Sequence, residues 1–487
     1  MRFAQVRFES SVASPREAWS MKVLPQQPAN IAHSVSNVEH ECNVLVLCPT
    51  HRDHRELPRL ERARIRYLFH DYATTSLEDL VGLRSPQTRA IGDPLEELQR
   101  LLSAFGGTRI HAVVSTDDYP GSTLAAALAK LLRLPGPEPA TSLICQHKYL
   151  ARIEQVKHVP ESVPSFALID TSATAPLPDG LSLPVFLKPV KSFFSIGSQR
   201  VDSMEEINFA KRHWAKLGAF FLPFERLLQS YVGSNIGTNR LIAEGVLSGM
   251  QVTVEGYVFD SEVGILGVVD SIFFPGTLAF SRFEYPSSLP QSVRERMGEI
   301  ARHLMADLRF DNGMFNIEMA YDPNRDRISI IEINPRMASQ FADLYEKVDG
   351  TNSYEILLDI GLGHRPVVKR QRGRHALAIS FVLRTFEDRL VANLPSEATL
   401  EAIALLHPDI RLELHGSLGS KLSDEMQDGH SYRYGIITLG GRDRTEVLHK
   451  FDDCRRRLGI TLLPIRLIPS DAQPPSFSHF CPENFSI

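Results

Sequence analysis

The chain has 487 residues, enough for two to four domains, and its 43% apolar and 23% charged residues are those of an ordinary soluble globular protein. A formal net charge of −5 excludes a broadly basic nucleic-acid-binding surface, and no apolar run reaches the length of a membrane span. The five cysteines, Cys42, Cys48, Cys145, Cys454 and Cys481, are scattered and lack metal-ligand spacing. They point to free thiols in a reducing compartment. The N-terminus has no apolar core of a secretory signal, and Glu9 and Glu17 argue against a transit peptide. The expected location is cytoplasmic.

Residues 1–40 show no sustained period and are expected to form an irregular arm. A Rossmann-like unit is expected over 41–140. Asn43-Val-Leu-Val-Leu reads as a buried strand and Arg109-Ile-His-Ala-Val-Val-Ser as another. The loop Thr116-Asp-Asp-Tyr-Pro-Gly-Ser then leads into a helix from Thr123 that stops at Pro135. Strands alternating with helices imply a parallel sheet, but no Gly-x-Gly-x-x-Gly follows the first strand, so a dinucleotide is not indicated. A second unit is expected over 141–246. Within it, Pro184-Val-Phe-Leu-Lys-Pro-Val is a short strand whose Lys188 sits among apolar residues. A lysine so placed needs a partner, either a phosphate or a carboxylate.

A third unit, 247–369, opens on a strand in which Gln251, Thr253, Glu255 and Tyr257 share one face. Glu255 is a candidate for the substrate side, with a plain sheet-surface glutamate as the equal alternative. The stretch from Ser271 to Pro290 reads as a long aromatic connection lining an acceptor or acyl pocket. An amphipathic helix follows over Ser292–Leu308. Strand, strand and helix at 376–383, 435–441 and 443–458 make a final α+β unit over 370–470, and 471–487 is a loose tail. No internal repeat is present.

The richest stretch is Gly313–Met337. Two alternating apolar runs flank Asp322-Pro-Asn-Arg-Asp326, the pattern of a β-hairpin. Phe315, Ile317 and Met319 face one way, Asn316 and Glu318 the other. In the second run Ile331 and Ile333 are expected to face the core, leaving Glu332, Asn334 and Arg336 outward. A hairpin centred on Arg325 puts Glu318 opposite Glu332 and Asn316 opposite Asn334. Facing like charges are destabilising unless something binds between them. Two carboxylates beside an amide oxygen suit a hard cation such as Mg²⁺, which is often held together with substrate phosphates.

Phe-Asn-Ile-Glu followed by Ile-Ile-Glu-Ile-Asn-Pro-Arg resembles the metal-binding hairpin of the ATP-grasp superfamily, with the carboxylate–amine ligases of the L-amino-acid-ligase and biotin-carboxylase-like group as the nearest likeness. The resemblance implies an α/β fold: an N-terminal Rossmann-like pre-ATP-grasp domain, a lid over 141–246, a catalytic subdomain over 247–369 and a C-terminal α+β subdomain. It implies ATP and Mg²⁺ (or Mn²⁺ in its place), with metal ligands Glu318, Glu332 and Asn334 and Arg336 as the catalytic residue. It further implies ATP contacts from Lys148 and Lys188, from Ser195 and Gly197 of a glycine-rich phosphate loop, from the main chain near Glu244 and Val246 at the adenine hinge, and from Gln251 to the ribose. His147 departs from the Asp or Asn usual before the first lysine. Ser192, Phe193 and Phe194 stand where the family has small residues. The implied activity activates a small carboxylic or amino acid as an acyl phosphate, joins it to an amine and releases ADP and phosphate. Phosphotransfer, bicarbonate activation or ATP binding without turnover are the alternatives. The implied partners are small molecules, with neither nucleic acid nor membrane, and a homodimer is compatible with them.

Overall fold

Four β-sheets organise the computed structural model, which describes residues 42–60, 62, 64–71, 92–172, 176–192, 196–217, 221–424 and 431–465. The arm, the tail, Cys481, Phe193, Phe194 and Ser195 lie outside the described residues. The first sheet is parallel, in the order β2 (Ile65–His70), β1 (Cys42–Leu47) and β3 (Ala112–Val114). Leu45 and Leu47 enter one apolar core while Val44 and Val46 enter another. That two-sided burial is why β1 reads as an unbroken apolar run. The second strand read from sequence pairs only over Ala112–Val114. The helix after it starts at Gly121, earlier than its apolar period suggests, because the Asp117 carboxylate accepts the Gly121 N–H at 2.7 Å.

Helices Pro139–Gln146 and Lys148–His158 lead to a four-stranded antiparallel sheet. Its strands are β4 (Phe166–Asp170), β5 (Val185–Pro189), β6 (Gln199–Val201) and β7 (Arg240–Gly245), in the order β4-β7-β5-β6. Val185 and Leu187 of β5 pack in the same core as Leu45 and Phe224, which fastens this sheet to the parallel one.

The largest sheet has eight antiparallel strands. It takes β8 (Met250–Phe259), β9 (Glu262–Phe273), β10 (Phe280–Tyr285), β11 (Gly313–Asp322), β12 (Arg327–Asn334), β13 (Leu377–Thr385), β15 (Arg411–Leu414) and β16 (Tyr432–Gly441), while β14 (Arg389–Asn393) and β17 (Thr461–Pro464) pair apart. The order is β12-β11-β8-β9-β10-β13-β16-β15. Val252, Val254, Phe315, Ile317 and Met319 project to one face, under Val293, Met297 and Leu304 of the helix Gln291–Asp307. Met314 projects to the other, toward helices Ala342–Asp349 and Ser353–Gly361.

The stretch 271–290 is not the open connection its prolines suggested. It is the end of β9, a turn and β10, and β10 pairs with β9 and β13. Phe283 and Tyr285 are buried against Phe341 and Tyr345, so these two aromatics belong to the core. The strand β13 continues the same sheet across position 370, so the segments on either side share one hydrogen-bonded ladder.

Candidate active site

The hairpin β11–β12 brings the acidic pair together. Asn316 faces Asn334, Ile317 faces Ile333 and Glu318 faces Glu332. The route to this register differs from simple counting. The turn is centred between Asn324 and Arg325, so Met319 faces Ile330, and a bulge at Ile331 shifts the register by one before Glu332. The bulge also breaks the alternation. Ile330 and Ile333 are buried in the core, whereas Ile331 is only half-buried and stays out of it. Its freed carbonyl accepts from Arg152 at 2.8 Å and from Lys188 at 3.4 Å.

Burial and the facing Glu332 push Glu318 above the usual carboxylate range. Glu332 is held low, because Lys148 and Lys188 outweigh its burial. Lys148 Nζ lies 3.3 Å from Glu332 Oε2. Asn334 turns its Nδ2 to Asn316 Oδ1 at 3.0 Å and to Glu332 Oε1 at 3.5 Å, leaving its own oxygen as the uncommitted acceptor. Asn316 Nδ2 donates to the Arg336 carbonyl at 3.0 Å and fixes the turn after β12. Gln251 Nε2 donates to Glu318 Oε2 at 2.9 Å, so it is the carbonyl of Gln251 that is left for a ligand. The donor set is two facing carboxylates and an amide oxygen, ringed by cations. It suits a hard divalent ion bound together with a polyanion.

A second charged knot lies beneath. Glu244 of β7 accepts from Arg152 Nε at 2.8 Å and pairs with Lys188 Nζ at 2.7 Å, with all three side chains buried. Burial alone would raise the Glu244 carboxyl, but Arg152 and then Lys188 hold it down at about 2. The partner that Lys188 requires is therefore this carboxylate. Glu244 lies in a strand flanked on both sides, by β4 and β5. Its side chain is what it offers to the site, while Val246, 38% exposed, follows β7 in the link to β8.

Glu255 is fully buried, with Oε1 accepting the Ala338 N–H at 2.7 Å. It thus anchors the segment after Arg336 from below. Burial pushes its carboxyl from the ordinary 4.5 up to about 8. Its proton stays on in the folded state while the unfolded chain has lost its own. Stability from this group is full below pH 4.5 and is lost progressively as pH rises to about 8. Denaturant midpoints of wild type are accordingly expected to fall over that range relative to Glu255→Gln, which keeps an acceptor for Ala338. Parallel curves for the two proteins would show that Glu255 ionises freely.

Residues 181–343 match the family model described as an ATP-grasp domain. The fold is ATP-grasp. Among solved structures, the L-amino acid ligase of Bacillus licheniformis is similar over 88% of this chain and 100% of its own, at 14% identity and a TM-score of 0.63. A Campylobacter jejuni biotin carboxylase is similar over 86% and 92%, at 14% identity and TM-score 0.60. N5-carboxyaminoimidazole synthase of Aspergillus clavatus is similar over 86% and 99%, at 16% identity and TM-score 0.58. At such identities the likeness is one of fold. No curated protein sequence matches significantly.

Within this ATP-grasp fold, Glu318, Glu332, Asn334, Lys148, Lys188, Glu244 and Gln251 form one connected polar cluster, and Arg336 lies next to it beside Asp118. Gly197 has a backbone reason of its own. Its φ is +77°, and a Cβ there would meet Pro189 Cγ at 2.9 Å. His147 does what an Asp would do: its buried Nδ1 caps the Lys148 helix by accepting the Leu150 N–H. Burial lowers its imidazole to about 4.

Sequence reasoning missed Arg152, although it sits four residues after Lys148 on the same helix face, a spacing that could have flagged it. Asp118 and Lys191 carried no such signal. Away from these residues, Glu56, Asp343 and Glu346 form an acidic cluster, but Arg59 bridges Glu56 and Glu346 at 2.6 and 2.5 Å and Arg55 reaches Asp343 at 3.2 Å. That cluster is already neutralised.

Proposed function

We propose that the protein is an ATP-dependent carboxylate–amine ligase that forms an acyl phosphate and releases ADP and phosphate. The observation that carries this reading is the co-facial Glu318, Glu332 and Asn334, with Lys148 3.3 Å from Glu332 and Arg336 beside Asp118. Glu318, Glu332 and the Asn334 oxygen would hold Mg²⁺, which when bound would neutralise charge on phosphate oxygens. Lys148 and Lys188 would bind the nucleotide phosphates, with Gly197 and Ser195 in the covering loop, Val246 at the adenine edge and the Gln251 carbonyl toward the ribose.

In the proposed reaction a carboxylate oxygen of the acid attacks the terminal phosphorus, and the bond to the ADP oxygen breaks. The amine nitrogen then attacks the acyl carbon, phosphate leaves, and the amine gives up one proton. Arg336 would stabilise the charge that develops on the phosphoryl and acyl oxygens. This scheme asks for fixed charges and no covalent nucleophile, and the charged cluster supports it. The described cysteines Cys42, Cys48, Cys145 and Cys454 carry free thiols, which fits a cytoplasmic setting. No described helix is long and apolar enough to cross a membrane.

Hydroxylamine tests the reading. Incubated with MgATP and pooled small acids, the protein is expected to yield a hydroxamate with one ADP and one phosphate per product. AMP, or a stable phosphorylated product from an acid the enzyme uses, would overturn the acyl-phosphate step.

Lys188 supplies a separate prediction. Its ammonium is already paired with Glu244, so the question is whether it also reaches phosphate. Lys188→Ala is expected to weaken MgATP binding by about ten- to a hundredfold, the loss of a charge-assisted contact. Calorimetry giving the wild-type affinity would leave Lys188 with a structural role alone.

A further inference from the structure

Lys191 lies three residues past Lys188 and is 1% exposed. Its Nζ sits 5.3 Å from the Tyr119 ring centroid and 5.4 Å from that of Phe224. Among the described residues its ammonium donates one hydrogen bond, to Gln146 Oε1 at 3.1 Å. The nearest carboxylate is Asp118, in the segment before the helix that starts at Gly121, at 3.7 Å. Arg336 Nε lies 3.8 Å from the other oxygen of Asp118 and is buried with no hydrogen-bond partner among the described residues. Lys191 is also within electrostatic reach of Lys148, Arg336 and Glu332, so it belongs to the same cationic field.

The cations of the cluster are not held equally. Lys188 lies 2.7 Å from Glu244 and Lys148 lies 3.3 Å from Glu332, but Lys191 and Arg336 share Asp118 at 3.7 and 3.8 Å. The last two distances exceed hydrogen-bond length. Two positive groups with unspent N–H donors thus face one carboxylate that accepts no hydrogen bond among the described residues. A buried lysine and a buried guanidinium nitrogen left this way are suited to an incoming anion.

Resting on the reading of this cluster as a MgATP site, we propose that Lys191 joins Arg336 in receiving the terminal phosphoryl group. Asp118 is the positioning counter-ion that keeps the pair apart and oriented until the phosphate replaces it. The N-terminal unit thereby takes part in discriminating nucleoside triphosphate from diphosphate. Lys191 contacts the phosphoryl group, and Asp118 acts only through Lys191 and Arg336.

The test is calorimetric binding of MgADP and of non-hydrolysable MgAMPPNP to the full chain. Lys191→Met removes the ammonium and leaves an unbranched, flexible apolar chain one atom shorter, which packs well against aromatic rings. It is expected to cost about tenfold or more in MgAMPPNP affinity while MgADP changes by less than about twofold. Asp118→Asn removes the competing anion, so it is expected to favour MgAMPPNP over MgADP by a further factor of about three or more. A structural role for the pair would move both nucleotides together. Equal changes for the two nucleotides, or none, in both variants would overturn the proposal. Should Lys191→Met fail to fold, Asp118→Asn decides alone, and a wild-type ratio of the two affinities overturns it. Wild-type protein that binds neither nucleotide would overturn the underlying site reading, and the proposal with it.

Discussion

Glu332→Gln is expected to abolish ATP turnover, by roughly a thousandfold or more, in a protein that still folds. The loss of rate follows from the place of Glu332 in the hairpin. It faces Glu318 across the strands, and it is the member of the pair that Lys148 and Lys188 keep ionised. A neutral amide in its place leaves Glu318, which burial disposes to hold its proton, as the only remaining carboxylate of the pair. Removing one fixed charge from a site that stabilises a transferring phosphoryl group costs factors of about a hundred to a thousand, and loss of a metal ligand adds to it. The fold is expected to tolerate the change because the side chain is 27% exposed and its ion pair with Lys148 is long, at 3.3 Å. The measurement is substrate-dependent ADP release beside a thermal melt. A well-folded Glu332→Gln protein with near-normal turnover would remove the basis for the metal site.

Glu244→Gln is expected to act on stability, by about 3–5 kcal/mol, because it leaves Arg152 and Lys188 buried without their carboxylate. The same carboxylate also gives the protein an acid limit. Its pKa is depressed to about 2 from an ordinary 4.5, so its contribution is present above pH 4.5 and is lost as pH falls through about 2. Replacing all three together, as Arg152→Met, Lys188→Met and Glu244→Leu, is expected to restore most of the stability. Apolar side chains of similar volume often match or exceed a buried ion network. MgATP binding should nevertheless stay weak in the triple variant, since Lys188 is gone. Denaturant unfolding of the single and triple variants checks both claims. A Glu244→Gln protein as stable as wild type would mean that water, and not the carboxylate, compensates these cations.

Periodicity along the chain was a good guide wherever the partners are close in sequence. The alternation Phe315, Ile317, Met319 against Asn316, Glu318 assigns core and site faces of β11, and the short turn after Asp322 brings Glu332 across from Glu318. The helix expected over 292–308 is present as Gln291–Asp307. In such elements the pattern is set by backbone geometry, two residues per strand repeat and 3.6 per helical turn, so neighbours in sequence suffice.

The rest depended on contacts between distant segments. The bulge at Ile331 answers to Arg152 and Lys188, residues 179 and 143 positions away. The role of Glu244 follows from Arg152, 92 positions earlier. Asp118 reaches Arg336 and Lys191 only because the parallel sheet packs against the sheet that holds β5, through Leu45, Phe224 and Leu187. The aromatics of 271–290 looked like a loop because Pro275, Gly276 and Pro286 punctuate them, yet pairing with β13 a hundred residues on makes a strand of Phe280–Tyr285. A charge or an aromatic in a linear chain has no fixed partner. Which carboxylate neutralises a given lysine, and whether a face meets solvent or another sheet edge, is settled by which surfaces bury the most apolar area when the units come together.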